Sequence, residues 1–208
     1  FSSAFSHDLH RMQESGNSAL DFMGFIIRQA GARSGTDYSS YGLNYVNSIA
    51  GTNGSAGVAD TLTVKYEAAG GEIDFLGAAV VKGQPLTYTF TVDMNTRQLF
   101  CNDGNANVVV AENIEDLQIQ YGVDGNKDGV VDSLYINAPT AAEFDRVLVV
   151  NVSLVVRAST PKSAANDSQT ILINGVSQTK TDGFLRQVFS SSFMVRNRVQ
   201  AADYSSWW

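Results

Sequence analysis

From Phe5 to Ala30 the sequence carries one apolar stripe at helical spacing, uninterrupted by proline, and this stripe restricts the fold more than any other feature. Phe5, Leu9, Met12, Gly16, Ala19, Leu20, Met23, Ile26, Ile27 and Ala30 recur at steps of three and four, the period that collects side chains on one side of an α-helix. Asp8, Arg11, Gln13, Glu14, Asn17 and Asp21 fall on the other side and are expected to face water. Gly31 supplies a C-terminal stop, with Arg28 in the last turn. At 1.5 Å per residue such a helix is about 39 Å long. A rod of this length placed first, with strands after it, predicts a spine whose apolar side is covered by a β-domain.

After Gly31 the period changes. Residues 32–60 are rich in Gly, Ser and Asn and read as a surface loop. "TLTVKYEA" alternates Leu62, Val64 and Tyr66 with polar residues, and "PLTYTFTVD" places Leu86, Tyr88, Phe90 and Val92 on one face. "RQLFCND" reads as the second arm of a hairpin turning at Met94 to Thr96. "NVVVAENIEDLQIQYGVD" starts as a strand and ends with Leu117, Ile119 and Tyr121 alternating. "DRVLVVNVSLVVRAS" is apolar on both faces and is expected at the centre of a sheet. A polar stretch with a short strand at Ile171–Ile173 follows, and "FLRQVFSSSFMVRNRV" closes the sheet. The expectation is one α+β domain over 1–208, mostly antiparallel: helix 1–31, loop 32–60 and β-domain 61–208.

The net charge of −7 repels phosphate, which argues against bulk nucleic-acid binding. Residues 1–208 contain no run of about 18 apolar residues that would cross a membrane.

One stretch looks like a chemical site. In "YGVDGNKDGVVDSLY" (Tyr121–Tyr135), counting Asp124 as position 1 puts Asn126 at 3, Asp128 at 5, Gly129 at 6, the Val130 carbonyl at 7 and Asp132 at 9. These are the first nine positions of an oxygen-donating calcium loop. Position 12 is Tyr135 and not Glu, and strands flank the loop, so it is not an EF-hand. The alternatives are a structural Ca2+ held by Asp124, Asn126, Asp128, Val130 and Asp132, or a polar hairpin turn.

Other candidates have plain structural readings. His7 and His10, three apart on the helix, lack an identifiable third metal ligand and fit a solvated face. Glu112, Glu115 and Asp116 fit a solvated strand edge as well as a carboxylate pair. Arg196 and Arg198 fit one outer strand face. Cys101 reads as a buried small hydrophobe, since a nucleophilic thiol needs a base and both histidines lie far away in sequence. No GxSxG, P-loop, GxGxxG, HExxH or CxxC motif is present, so the chain is not expected to be an enzyme.

Three stretches together resemble one family. "RMQESGNSALDFMGFIIRQAG" (Arg11–Gly31) is similar to the helix end of PilW-type minor pilins of type IV pili. "ENIEDLQIQYGVDGNKDGVVD" (Glu112–Asp132) resembles that family's EN(V/I)EDLQ…YGVD stretch. "VVNVSLVVRAS" and "LRQVFSSSFMVRNR" resemble its last strands, which end in Arg-Asn-Arg. The resemblance implies a type IV pilin- or pseudopilin-like fold, with the long helix packed on antiparallel sheet. It implies an ectodomain whose apolar, membrane-embedded half-helix precedes Phe1. It also implies a pilus-tip subunit that faces the periplasm before assembly. The implied partners are other minor pilins, the major pilin and a tip adhesin, and the implied role is priming of pilus assembly.

An adhesin-like module, with "SSYGLNYVNSIAG" and "DYSSWW" as contact surfaces, and a type II secretion minor pseudopilin are the alternatives. Relatives pair a Cys in "DC.G" with one in "LYC". Here Phe75 stands in "IDFLG" while Cys101 stands in "LFC", so the resemblance implies a missing disulfide whose work packing or calcium must do.

Overall fold

The computed structural model describes residues 2–34, 48–54 and 58–197, without the side chains of 2–5, 134 and 135. Helix α1 spans Ser2–Gln29 and ends as the glycine stop requires. Gly31 adopts φ 74, and its N–H donates to the Lys65 carbonyl at 2.9 Å. No described helix is long and apolar enough to cross a membrane.

The strands that follow are β1 (Ile49–Thr52), β2 (Thr61–Glu67), β3 (Pro85–Asp93), β4 (Gln98–Asn102) and β5 (Asn107–Glu112), then β6 (Ile114–Val123), β7 (Ser133–Ile136), the short helix α2 (Ala141–Phe144), β8 (Val147–Arg157), β9 (Ser168–Ile173), β10 (Val176–Thr181) and β11 (Arg186–Met194). They build a five-stranded sheet β1-β2-β3-β4-β5, a four-stranded sheet β11-β8-β6-β7 and a hairpin β10-β9. Every pairing is antiparallel. The fold is α+β, as the segregation of periods predicts.

Alternation explains what is buried. Leu62, Val64, Phe90, Leu99 and Cys101 of the first sheet share one core with Leu117, Ile119, Val150, Val152 and Leu154 of the second. Met12, Ala19, Met23, Ile26 and Ile27 of α1 belong to the same core. β8 lies between β11 and β6. Its second face is covered where Val155 meets Ile171 and Ile173 of the β9-β10 hairpin, which is why this strand reads as apolar on both sides.

Two glycines let α1 and β11 approach closely. A Cβ on Gly16 would lie 2.6 Å from the Phe189 ring, and one on Gly24 would lie 2.3 Å from the Phe193 ring. The Arg28 guanidinium lies over the Phe193 ring, 5.3 Å from its centroid. Asn197 then closes the helix: its Nδ2 donates to the carbonyls of Ala30 at 3.2 Å and of Arg28 and Gln29 at 3.4 Å. These are carbonyls of the last helical turn, of which that of Gln29 also accepts the Ala32 N–H at 2.8 Å. Asn197→Ala is expected to cost about 1 kcal/mol and lower the Tm by about 3 °C, read by thermal unfolding.

Four sequence expectations need correction. The segment read as loop contains β1, which pairs with β2; residues 35–47 and 55–57 lie outside the described residues. "NVVVAENIEDLQIQYGVD" is two strands, because Asn113 takes φ 61 and carries the chain from one sheet to the other. The polar stretch is a full hairpin turning at Asn174 and Gly175, with φ 48 and 79. β11 ends at Met194, so Arg196 sits in a turn, and Arg198 lies outside the described residues.

Candidate functional site

The Asp124–Asp132 loop joins β6 to β7. The carboxylates hold its shape. Asp124 is buried; its Oδ1 accepts the N–H of Lys127 at 2.6 Å and of Asp128 at 3.2 Å, and its Oδ2 accepts that of Gly129 at 2.9 Å. Asp132 Oδ2 accepts from Gly125 and Asn126 at 2.8 and 2.9 Å. Gly129 sits at φ 85, a conformation that favours glycine. Arg146 braces the loop by donating from Nη1 to the Gly125 carbonyl at 2.8 Å.

The side chains that converge are Asn126, Asp128 and Asp132. Asn126 Nδ2 lies 3.1 Å from Asp128 Oδ2 and 3.2 Å from Asp132 Oδ1, so an amide donor sits between two carboxylates. Among the described residues no group of three or more His, Cys, Asp or Glu is placed to hold a metal ion. The donors are all oxygen and of the type calcium takes, and the Asp124 oxygens are already engaged by backbone amides.

His7 and His10 are both exposed. Cys101 is fully buried, and burial, with Asp103 nearby, pushes its thiol up to about 12, far from a reactive thiolate at neutral pH. Where relatives are implied to have a disulfide, the Phe75 ring packs edge-on against Tyr88 at 5.7 Å. The Phe75 N–H donates to Asp103 Oδ2 at 2.7 Å, and Asn105 Nδ2 donates to Asp74 Oδ2 at 3.1 Å. Packing and carboxylate–amide bonds hold this segment.

Of the acidic cluster, Glu112 is exposed as a solvated edge predicts, but Glu115 and Asp116 are not. A register shift between Ile114 and Asp116 turns Glu115 toward two arginines and buries Asp116. Arg186, 2% exposed in its side chain, uses every donor it has. Nε and Nη2 bond Glu115 at 2.6 and 3.2 Å, Nη1 and Nη2 bond Asp182 at 2.8 and 2.5 Å, and Nη1 also bonds the Phe184 carbonyl at 3.0 Å. Arg157 stacks over the Phe184 ring at 3.8 Å and pairs with Glu115 at 3.4 Å. The bonds from Arg186 hold Asp182 down at about 2. Burial opposes the charge on Arg186, but its bonds to Asp182 and Glu115 outweigh that and raise its pKa. This network ties β6, β8 and β11 together and spends all five Arg186 donors within the protein.

Two further acids were not legible as structural residues. Asp8, expected in water, is buried, pairs with Lys162, and accepts from Thr160 at 2.8 Å and Ser159 at 3.2 Å; the Lys162 and Thr160 bonds lower its pKa. Asp60 joins the sheets. Its N–H donates to the Leu117 carbonyl at 2.8 Å, and its carboxylate accepts from Ile119 and Gly54, each at 2.7 Å. Burial raises its pKa.

A family model described as type IV pilus-assembly protein W matches residues 87–197, more than half of the chain. Among solved structures, a type IV-like pilin from Thermus thermophilus superposes with a TM-score of 0.54 over 91% of this chain and 98% of that one, at 11% identity. Identity that low speaks for the fold alone. No curated protein sequence matches the chain.

Proposed function

Because the chain belongs to the type IV pilus-assembly protein W family, we propose that it is a minor pilin, a structural subunit that primes pilus assembly at or near the filament tip together with other minor pilins. The family match over β3 to β11, on a pilin-like fold, carries this reading. Residues 1–208 then act as one ectodomain: α1 is the lower part of the spine, the β-domain is clamped on its apolar side, and the outer surfaces meet neighbouring minor pilins, the major pilin and a tip adhesin. The function is assembly, and it asks for rigid surfaces and no turnover. Of the two stretches that favour an adhesin-like reading, 39–51 runs into β1 at its end, and its tyrosines, like the whole of 203–208, lie outside the described residues.

Co-purification tests the proposal. The tagged protein is expected to bring down other minor pilins of the same pilus from detergent-solubilised membranes, whereas isolation without any pilin-family subunit would contradict it.

The reading includes a structural Ca2+ in the 124–132 loop. Asn126, Asp128, Asp132 and Asp124, with the Val130 carbonyl, would hold it. The ion would neutralise three carboxylates crowded on one turn, where Lys127 is the only nearby compensating charge within the loop. A ligand that binds only the native state stabilises by RT ln(1 + [L]/Kd), about 2.7 kcal/mol at 100 times Kd. Millimolar Ca2+ is therefore expected to raise the Tm by several degrees. Asp128→Ala should abolish the rise with little change in the calcium-free Tm, because Asp128 holds less of the turn than Asp124 does. An unchanged Tm on adding calcium or chelator would leave the loop as a carboxylate-braced turn.

A further inference from the structure

We propose that helix α1 is hinged at residues 15–18, so that its first half is a latched arm that leaves the β-domain while residues 19–29 stay clamped. The run Ser15-Gly16-Asn17-Ser18 joins four residues that either compete for the helix backbone's hydrogen bonds or leave that backbone unrestrained. No other run of this kind lies between Leu9 and Gln29. A Gly/Ser pair is also one of the few places where helices bend sharply. Packing imposes the glycine, since a Cβ on Gly16 would lie 2.6 Å from the Phe189 ring. Close approach to β11 at one residue therefore leaves the rod weak near its middle.

The two halves are held differently. Of the eleven residues 19–29, six are buried: Ala19, Leu20, Met23, Gly24, Ile26 and Ile27. Of the nine residues 6–14, only Asp8 and Met12 are buried. The second half is tied at its far end by Asn197, which reaches the Ala30 carbonyl. The hinge itself is pinned by Ser15, whose Oγ donates to the Glu112 carbonyl at 2.8 Å.

The latch of the arm is one carboxylate. Asp8 pairs with Lys162 and accepts from Thr160 at 2.8 Å and Ser159 at 3.2 Å. The receiving turn is fixed to the other side, because the N–H groups of Lys162 and Ser163 donate to the Gly183 carbonyl at 2.8 and 3.2 Å. Releasing Asp8 and Met12 thus frees the arm without breaking any strand pairing. A helix this short is marginal alone in water, so the amides of a released arm exchange as one group. The device belongs to the isolated chain and holds whether or not the chain is a filament subunit.

Hydrogen exchange of residues 1–208, read by NMR amide by amide, tests this. The amides of residues 9–14 should open together, about tenfold or more faster than those of 23–29. Asp8→Asn keeps the shape of the latch and removes its charge, and should speed exchange at 9–14 by about tenfold while leaving 23–29 unchanged. Lys162→Gln weakens the latch from the opposite side and should do the same. Asn17→Ala combined with Ser18→Ala, both at exposed positions, strengthens the helix across the hinge and should slow exchange at 9–14 by about fivefold.

A smooth gradient of exchange from Ser6 to Gln29 would be ordinary end fraying and would overturn the proposal. So would one common rate along the whole helix, or an Asp8→Asn variant that speeds both halves equally. Unchanged exchange in the Asn17→Ala, Ser18→Ala protein would place the opening outside 15–18 and overturn the hinge.

Discussion

Replacing Arg186 with Ala is expected to lower the unfolding free energy by about 3 kcal/mol, because it removes a buried guanidinium, leaves the half-exposed Asp182 without its cation and leaves Glu115 with Arg157 alone. Urea unfolding at neutral pH reads the change directly. Arg186→Lys should recover little, since one ammonium cannot supply the five-donor fork that bonds Glu115, Asp182 and the Phe184 carbonyl. The same network predicts a pH dependence. Asp182 is held at about 2 in the fold, against about 3.9 in an unfolded chain. A carboxylate depressed by folding adds stability that is present in full above the unfolded value and is lost as pH falls through the folded one. Stability of the wild type should therefore decline between about pH 4 and pH 2 more steeply than that of Asp182→Asn. Identical acid limbs for the two proteins would refute the assignment.

The second large effect is steric. Gly24→Val places a branched side chain where even a Cβ would lie 2.3 Å from the Phe193 ring, and Phe193 is only 5% exposed. Overpacking of this kind costs about 3 kcal/mol, which outweighs the roughly 0.5–1 kcal/mol a helix gains when a glycine leaves its interior. The control is the pair Gly24→Ala and Phe193→Leu. Each alone should destabilise, and together they should recover part of the loss, with a coupling of about 1 kcal/mol or more in a double-mutant cycle. Simple additivity would show that helix and strand do not meet there. Gly16 with Phe189 should behave the same way, since its added Cβ meets that ring at 2.6 Å.

These contacts show which parts of the fold are visible in a sequence. The helix was legible from its period, and the β3–β4 hairpin and the central β8 from theirs, because burial on one or two faces leaves a local pattern. The clamp between α1 and β11 leaves no local pattern, although its spacing is present. Gly16 and Gly24 are eight helical residues apart, about 12 Å, and Phe189 and Phe193 are four strand residues apart, about 13 Å. A matching pair of distances of this kind becomes informative only when the two elements are known to lie side by side. The β9-β10 hairpin carried its own signal in Asn174-Gly175, a dipeptide made for a tight turn, but the stretch is polar enough that only its Ile171–Ile173 part reads as strand.

The polar residues were the least legible. Asp8 sits on the face that periodicity assigns to water, and only the later Ser159–Lys162 turn makes it structural. Glu115 shares one strand face with Leu117 on paper, but a bulge rotates it onto Arg186 and Arg157. In the 124–132 loop the spacing of oxygen donors was plain in the sequence. Which of them brace the turn, and which converge around Asn126, required coordinates. Asn197 belongs to a motif that reads as basic, yet it is the asparagine between the two arginines that closes the helix.

As a pilus-assembly subunit, this chain should be required for pili to form. Counting surface pili by electron microscopy, in a strain lacking the gene and in the same strain carrying it back, measures that directly. The expected result is few or no pili without the gene, with the major pilin still present in the cells, and a return to wild-type numbers on complementation. An undiminished pilus count in the deleted strain would contradict it.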